Sequence, residues 1–209
     1  MYFKTFFVFL LANIYLTECV IQELTIFSEP DCQGDAIIFR SKRPNLETDE
    51  INFINQSKSY KVIGWWQGYT HPNYGAPQGL THQGYSGSCT NYSVPSARSL
   101  RFFGTADTSA AFISFFQGID EPEHISGTEF LVTGLAGQNF GFTPTGLVLS
   151  NAESWIGYAD PEFMGEGICF INNSTGLASF DLKSNNIQSV TRDCNAKRVV
   201  SYKYATDVI

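Results

Sequence analysis

The chain has 209 residues, of which 43% are hydrophobic, 15% aromatic and only 16% charged, and its formal net charge is −7. The negative charge argues against electrostatic binding to nucleic acid or anionic lipid, because both carry the same sign. With 18 Gly and 8 Pro, the composition favours many short strands joined by tight turns over long helices.

The N-terminal segment has the layout of a secretory signal peptide. Lys4 precedes an apolar run over 6–12, and Thr17-Glu18-Cys19 follows it. The run is too short to cross a bilayer, which takes roughly 20 residues, and no later segment is long and apolar enough. We therefore predict a signal peptide at 1–19 and a secreted, extracellular protein without a membrane span.

A short pattern then recurs four times: an anchor residue, four turn-like residues, an apolar residue, one spacer, and Gly or Ala. Such a hairpin needs an aromatic side chain to cover its bend and a Gly where the backbone takes positive φ. Strand-like runs follow the copies, as at 36–39 and 168–171. The copies span 27–34, 69–76, 120–127 and 158–165, with anchors Phe27, Tyr69, Asp120 and Tyr158.

A serine follows each anchor after a similar interval. Ser59, Ser99, Ser150 and Ser189 lie 32, 30, 30 and 31 residues beyond their anchors. Alternating apolar and polar residues around three of them predict the closing strand of each repeat. In the third repeat, Val148 is an alternative to Ser150.

The spacing of the anchors predicts two domains. Intervals of 42, 51 and 38 residues separate two close pairs of repeats, and small polar residues fill 104–109 as they do in linkers. We predict a first domain at 20–104, a linker at 105–111 and a second domain at 112–196. The tail at 197–209 alternates enough to form a final strand or an arm on a partner.

The cysteines predict disulfides. If cleavage follows Cys19, four cysteines remain, an even number that suits an oxidising compartment. Four cysteines allow three pairings. We favour the within-domain bridges Cys32–Cys89 and Cys169–Cys194, because a small domain with a modest core gains most stability from a disulfide of its own. Cleavage before Cys19 would leave an odd thiol able to join two chains.

Four sequons predict glycosylation. They begin at Asn55, Asn91, Asn172 and Asn173. Because such motifs lie in surface loops of secreted chains, we expect a glycan on at least one of them.

The hairpin pattern, the later serine, and the openings Trp66-Gln67-Gly68-Tyr69 and Trp155-Ile156-Gly157-Tyr158 resemble the βγ-crystallin superfamily over nearly the whole mature chain. The first repeat departs from that pattern at Cys32 and the third at Asp120. The resemblance implies an all-β protein of two βγ-crystallin-like Greek-key β-sandwich domains.

The resemblance also implies calcium candidates, since many members bind calcium through an Asn/Asp-Asn/Asp-x-x-Ser/Thr-Ser segment. The best match carries Asn185, Asn186, Ile187 and Ser189. Asn55 and Ser59 form a weaker match, with a lysine among the ligands. Neutral oxygens bind calcium less well than carboxylates, so any site should be weak. The alternative is that these serines only tie the hairpins by hydrogen bonds.

No residue pattern indicates catalysis. The three histidines, His71, His82 and His124, lie in turn-like segments, and Ser86 lacks the strand-turn-helix setting of a nucleophile elbow. The acidic turn residues are more typical of a solvated face than of a glycosidase pair; they are Glu121, Glu123, Asp160 and Glu162. We predict no enzyme activity and no cofactor other than calcium.

The sequence therefore favours a secreted structural or interaction protein, with its partner and oligomeric state left open. The alternative is an extracellular module that binds glycans or proteins through aromatic residues, as in defence. The candidates for such an exposed patch are Trp65, Tyr69, Tyr74 and Tyr85.

Overall fold

The computed structural model describes residues 19–84, 87–119, 124–150, 152–174, 176–183, 185–195 and 198–202, without the side chains of 78–84, 198, 201 and 202. Residues 1–18 of the predicted signal peptide, and Asp120, Glu121, Glu123, Tyr85 and Ser86, lie outside the described residues. Strands dominate, so the all-β prediction is confirmed.

The described part of the first half contains six strands, one α-helix and two short 3-10 helices, Pro30–Cys32 and Pro72–Tyr74. The strands are β1 (Glu23–Glu29), β2 (Gln33–Phe39), β3 (Ser59–Tyr69), β4 (Pro77–Gly84), β5 (Cys89–Thr90) and β6 (Ser99–Phe102), and the helix is α1 (Thr48–Gln56). β3 is long enough to pair with β1 and β5 near its start and with β4 and β6 near its end. It thus joins the two layers of this half.

The second half forms two separate sheets, in the orders β13-β10-β7-β8 and β15-β12-β11-β14-β9. Its strands are β7 (Ile113–Ile119), β8 (Ile125–Val132), β9 (Ala136–Gln138), β10 (Gly146–Leu149), β11 (Ser154–Tyr158), β12 (Gly167–Asn172), β13 (Ala178–Asp181), β14 (Ser189–Arg192) and β15 (Arg198–Tyr202). All pairs are antiparallel except β12–β15, where the predicted tail strand adds in parallel.

Each repeat contributes its third strand to the sheet of its neighbour, which gives a Greek-key connection. β5 of the second repeat pairs with β3 beside the first hairpin, and Arg43 of the first repeat bridges Leu100 in β6. In the second half, β9 pairs with β14 and β13 with β10. The exchange makes the two repeats of each half interdependent.

The folded hairpins have the positive-φ residues that the pattern predicted. The last position of the pattern, which was predicted to take positive φ, has φ of 77° at Gly34, 49° at Ala76, 74° at Gly127 and 86° at Gly165. The apolar residues Cys32, Tyr74 and Phe163 also have positive φ, which the pattern did not predict. Gly34 has φ 77°, and a Cβ there would lie 2.5 Å from Ser28 Oγ. Both its backbone conformation and its crowding therefore require glycine.

Helix α1 was not predicted from the sequence. The Glu47 backbone N–H donates to Glu50 Oε2 at 2.8 Å, half of a capping box at the helix start. Ile54 is fully buried against the first core. Asn55, expected in a turn, lies exposed in the last turn of this helix.

The third repeat is aligned differently from the prediction. In the other repeats the aromatic anchor pairs with the closing serine, as in Phe27–Ser59, Tyr69–Ser99 and Tyr158–Ser189. In the third repeat, Phe116 pairs with Gly146. The anchor is therefore Phe116 rather than Asp120, and Gly146 stands where Ser150 was predicted. Ser150 lies beyond β10, where its hydroxyl accepts a hydrogen bond from Phe112 N at 2.8 Å.

A longer hairpin explains this difference. Phe116 pairs with Glu129, 13 residues on, whereas Phe27 pairs with Ala36, 9 residues on. Both the anchor and its strand partner are displaced by the same four residues, so the interval of 30 residues is unchanged. Spacing alone could not detect the shift.

Three apolar clusters hold the molecule together. The first half packs around Leu24, Ile26, Phe39, Ile54, Tyr60, Trp66 and Leu100. The second half packs around Phe115, Leu147, Trp155, Phe170, Phe180 and Val190. A third cluster, which we call the seam, draws Trp65 and Phe103 from the first half and Phe112, Phe116, Ile119, Ile125 and Val148 from the second. Burial at the seam joins the halves.

The residues before β1 pack against the predicted linker. The Gln22 side-chain amide donates to Phe103 O and Thr105 O at 2.8 and 2.6 Å, and its oxygen accepts from Trp65 N at 2.9 Å. Within the described part of the chain, no helix has the length and apolar character to span a membrane.

Candidate functional site

Closing-strand serines tie three of the folded hairpins. Ser99 Oγ donates to His71 O at 2.7 Å and accepts from Tyr74 N at 3.1 Å. Ser59 Oγ makes the same pair of bonds with Glu29 O and Cys32 N, at 2.5 and 3.0 Å. Ser189 Oγ donates to Asp160 O at 2.6 Å, and these three serines are fully buried. From these buried positions the serine hydroxyls satisfy backbone groups of the hairpins.

The Asn185 segment lies between β13 and β14. Ile187 is buried in the second core, while Asn186 is exposed beside it. Asn185 and Asn186 line a cavity of about 250 Å³ together with Glu166 and Ala159. The structure therefore brings one carboxylate, missed in the sequence, to the two predicted amides.

The Asn55 segment has a different arrangement. Asn55 lies exposed on α1, whereas Ser59 lies buried in β3 with its hydroxyl bonded within the hairpin. Lys58 Nζ lies 2.8 Å from Glu29 Oε2. A cation bound between Asn55 and Ser59 would therefore lie near the positive charge of Lys58.

Of the four predicted glycosylation asparagines, three are exposed and one is buried. Asn55, Asn91 and Asn173 are exposed. Asn172 is 1% exposed, and three carbonyl oxygens, Leu149 O, Ser150 O and Gly176 O, lie 3.2, 3.1 and 2.7 Å from its amide nitrogen and share its two N–H donors. A glycan on that nitrogen is incompatible with this packing.

The structure contains both disulfides that the sequence favoured. Cys32–Cys89 joins the first hairpin to β5, and Cys169–Cys194 joins β12 to the segment before β15. Cys19 is exposed and free. Each half of the chain thus carries one internal bridge.

A buried polar group crosses the seam. Arg101 is fully buried, and its Nε donates to the Tyr69 hydroxyl and its Nη1 to Gly127 O, both at 2.8 Å. Tyr69 donates in turn to Ile125 O at 2.8 Å. Burial raises the pKa of Tyr69, so its phenol stays protonated as a donor.

Glu129 forms a second link across the seam. Its carboxylate pairs with Lys42 of the first half and accepts from Gly104 N at 3.0 Å and Ser114 Oγ at 2.8 Å. The sequence analysis missed Arg101, Lys42 and Glu129. No local motif marks them, because each makes contacts with the opposite half of the chain.

Comparison with known proteins gives one kind of match. No known family profile matches the chain, and no curated protein matches it. Among solved structures, the chain is similar to Geodin, a beta-gamma crystallin from Geodia cydonium, with a TM-score of 0.60 and 15% identity over 83% of this chain and 100% of Geodin.

The chain has the βγ-crystallin fold. The resemblance noted in the sequence is therefore confirmed at the level of fold. Within this fold, the sequence repeats correspond to the folded hairpins and to the third strands that neighbouring repeats exchange.

The predicted aromatic patch is mostly internal in this βγ-crystallin fold. Trp65 is 8% exposed and Tyr69 is fully buried, and Tyr85 lies outside the described residues. Tyr74 is half-buried and lines a cavity at the seam with Lys42 and Glu129. An exposed patch of Trp65 and Tyr69 is therefore wrong, because both rings fill the interior.

The described histidine side chains show no catalytic arrangement. His71 is exposed, and its Nδ1 lies 3.1 Å from the Thr70 hydroxyl in the hairpin turn. Among the described residues, no group of three His, Cys, Asp or Glu side chains could hold a metal ion. The Asn185 segment would have to bind calcium chiefly through neutral oxygens.

Proposed function

We propose that this chain is a secreted, non-enzymatic structural or interaction protein of the extracellular space. The observation that carries the proposal is that each half has its own disulfide, Cys32–Cys89 and Cys169–Cys194. Disulfides persist in oxidising compartments and are rare where thiols are kept reduced. The apolar leader at 6–12 supports export by the same route.

The βγ-crystallin fold supports a role based on durability. Exchanged strands, buried hairpin ties and the seam all link residues distant in the chain. Such links oppose local opening, which is the step that exposes a chain to proteases. A stable scaffold suits matrix, cuticle, mucus or defence roles.

Expression of the full chain in a secretory cell line tests this proposal. We expect the protein in the medium, without residues 1–19, and with a mass that shows two disulfides and at least one glycan. Peptide mapping after endoglycosidase treatment should show that Asn55, Asn91 or Asn173 had carried a glycan and that Asn172 had not. Retention inside the cells with reduced cysteines would contradict the proposal.

For calcium we propose one weak site, in the fourth repeat. Its support is the shared cavity of Asn185, Asn186 and Glu166, because the carboxylate adds the hard, charged ligand that the sequence segment lacks. Asn55 and Ser59 are left out, since the ammonium of Lys58 lies beside Glu29. Ser189 would exchange its bond to Asp160 O for the ion.

Calorimetric titration with calcium tests that site. We expect saturable binding with a dissociation constant of about 10⁻⁴–10⁻³ M, the range of weak extracellular sites. Glu166→Gln should weaken it about tenfold by removing the charged ligand, and Asn55→Ala should leave it unchanged. If calcium gives no binding heat and the melting temperature is the same in calcium and in chelator, the site does not exist and Ser189 only forms a hydrogen bond within the hairpin.

A further inference from the structure

A cavity of about 520 Å³ opens where the two halves meet. Lys42, Asn73 and Tyr74 of the first half and Thr128, Glu129 and Leu131 of the second line it. Its volume lies in the range of roughly 300–1,000 Å³ that small-ligand sites occupy, and such sites favour domain junctions. The wall therefore exists only when the halves are docked.

Tyr74, which lines this seam cavity, is held in one position by its neighbours. The Tyr74 ring meets the Tyr69 ring edge-on with centroids 5.6 Å apart. The Arg101 guanidinium carbon lies 4.8 Å from the Tyr74 centroid. Because Tyr69 and Arg101 are fully buried, the ring that lines the cavity is fixed before any ligand arrives, which lowers the entropy cost of binding.

Polar groups around this ring have unused hydrogen-bonding capacity. The Asn73 side-chain amide, the Tyr74 hydroxyl and the Thr128 hydroxyl have no hydrogen-bond partner among the described residues. Lys42 has three N–H donors, and its described hydrogen bond goes to Glu129. The cavity thus offers both donors and acceptors beside an aromatic face, which suits a ligand rich in hydroxyl groups.

The charges around the cavity favour an acidic ligand. Lys42 and Glu129 offset each other in an ion pair. Arg101 adds a buried positive charge behind Tyr74, and its described hydrogen bonds go to a hydroxyl and to carbonyls. A positive charge in a low-dielectric interior acts over a longer distance than one in water.

We propose that the seam cavity binds a saccharide that carries a carboxylate, such as a terminal uronic acid residue of a glycan. The sugar hydroxyls would bond Asn73, Thr128 and the Tyr74 hydroxyl, and its carboxylate would lie toward Lys42. This site goes beyond the proposed function, since neither secretion nor calcium depends on it.

Calorimetry with methyl glucuronide and methyl glucoside, two ligands that differ by the carboxylate, tests the proposal in chelator. We expect the glucuronide to bind about tenfold more tightly, with the difference shrinking at high salt. Lys42→Gln should abolish the difference. Lys61→Gln is the matched control, because each of these lysines lies over a phenylalanine ring, Phe102 and Phe27 respectively, and Lys61 lies outside the cavity.

Thr128→Val provides an independent test, since this side chain is exposed and makes no hydrogen bond to the described residues. It should weaken both glycosides by a similar factor, with an unchanged near-ultraviolet circular dichroism spectrum. Equal affinity of the wild type for the two glycosides, absence of binding for both, or an equal effect of Lys61→Gln would each overturn the proposal. None of these results bears on whether the protein is exported.

Discussion

Arg101 lies in an environment that arginine rarely occupies. It is fully buried, and its described hydrogen bonds go to the Tyr69 hydroxyl, Gly127 O and Ile125 O. A buried charge is costly unless its donors are satisfied. Four rings lie within 5.5 Å of its guanidinium carbon and add cation–π attraction; they belong to Tyr69, Tyr74, Phe103 and Phe116.

Arg101→Lys should destabilise the protein although it keeps the charge. A lysine ammonium cannot span three acceptors in the fixed geometry of a guanidinium, and we expect a loss of about 2–4 kcal/mol. Urea unfolding followed by fluorescence measures it. Arg40→Lys is the control, since Arg40 is 63% exposed in its pair with Glu23, and it should change stability by under about 0.5 kcal/mol. Equal losses of stability in the two variants would contradict a special role for the buried Arg101 guanidinium.

Ser99→Ala should remove one hairpin tie. The hydroxyl bonds both His71 O and Tyr74 N at a fully buried position, so its loss leaves two backbone groups unsatisfied. We expect a cost of about 1–3 kcal/mol, measured by urea unfolding. Ser109→Ala, at an exposed serine of the linker, should cost much less. An equally small effect at Ser99 would show that water replaces its hydroxyl.

At the scale of elements, the third hairpin is the exception among the repeats. It is four residues longer between Phe116 and Glu129 than the first hairpin between its paired residues. Gly146 replaces the serine, and a Cβ on this glycine would lie 3.0 Å from the Ile119 Cβ. The extra length brings Ile119 into the space that a serine would need.

Gly146→Ser should therefore destabilise the protein, although it restores the residue type of the other repeats. We expect a cost of about 1–3 kcal/mol from overpacking against Ile119. Gly134→Ser is the control, because no atom lies within 4 Å of a Cβ there. Guanidinium unfolding of the two variants gives the comparison, and a stabilising Gly146→Ser would show that the hairpin can repack.

The Cys169–Cys194 bridge should anchor the last strand. Cys169 pairs with Val199 of β15, and the bridge fixes the chain just before β15 begins. Cys169→Ala with Cys194→Ala should lower the free energy of unfolding by about 3–4 kcal/mol and raise amide exchange at 198–202 above that of β11. The Cys32→Ala, Cys89→Ala pair is the control. In that control variant, the amides of 198–202 should exchange no faster than global unfolding allows.

At the scale of the molecule, the seam joins the halves by two kinds of contact. Trp65 and Phe103 pack edge to face with centroids 5.4 Å apart, and Phe103 packs on Phe116 at 5.5 Å. Glu129 then ties Lys42 to the second half. A separated half would expose both the rings and the polar groups that this surface buries.

Separate expression of 20–104 and 112–209 should therefore give halves less stable than the intact chain. Each half loses apolar burial, and Arg101 loses its carbonyl acceptors, so unfolding should begin at a lower urea concentration. Trp65 fluorescence should shift to the red on separation. The intact chain cut within 105–111, with its halves still associated, is the control. Identical midpoints for half and whole would show that the seam contributes nothing.

The local parts of the structure could be predicted from the sequence. The positive-φ hairpin positions, the strands that follow them, and the serines 59, 99 and 189 depend on residues close in the chain or on a repeated spacing. Helix α1 escaped prediction because its segment is short and its burial depends on the first core. The predicted limits of the two domains stay predictions.

Turn chemistry and strand alternation act locally, so the sequence was enough to predict an all-β chain and the serines that close three of the four hairpins, Ser59, Ser99 and Ser189. Long-range packing, in contrast, sets which carboxylate lies beside Asn185 and Asn186, buries Asn172, and brings Arg101 and Glu129 each into contact with the opposite half of the chain. Those outcomes depend on contacts between residues far apart in the chain, and such contacts leave no periodic pattern in a single sequence.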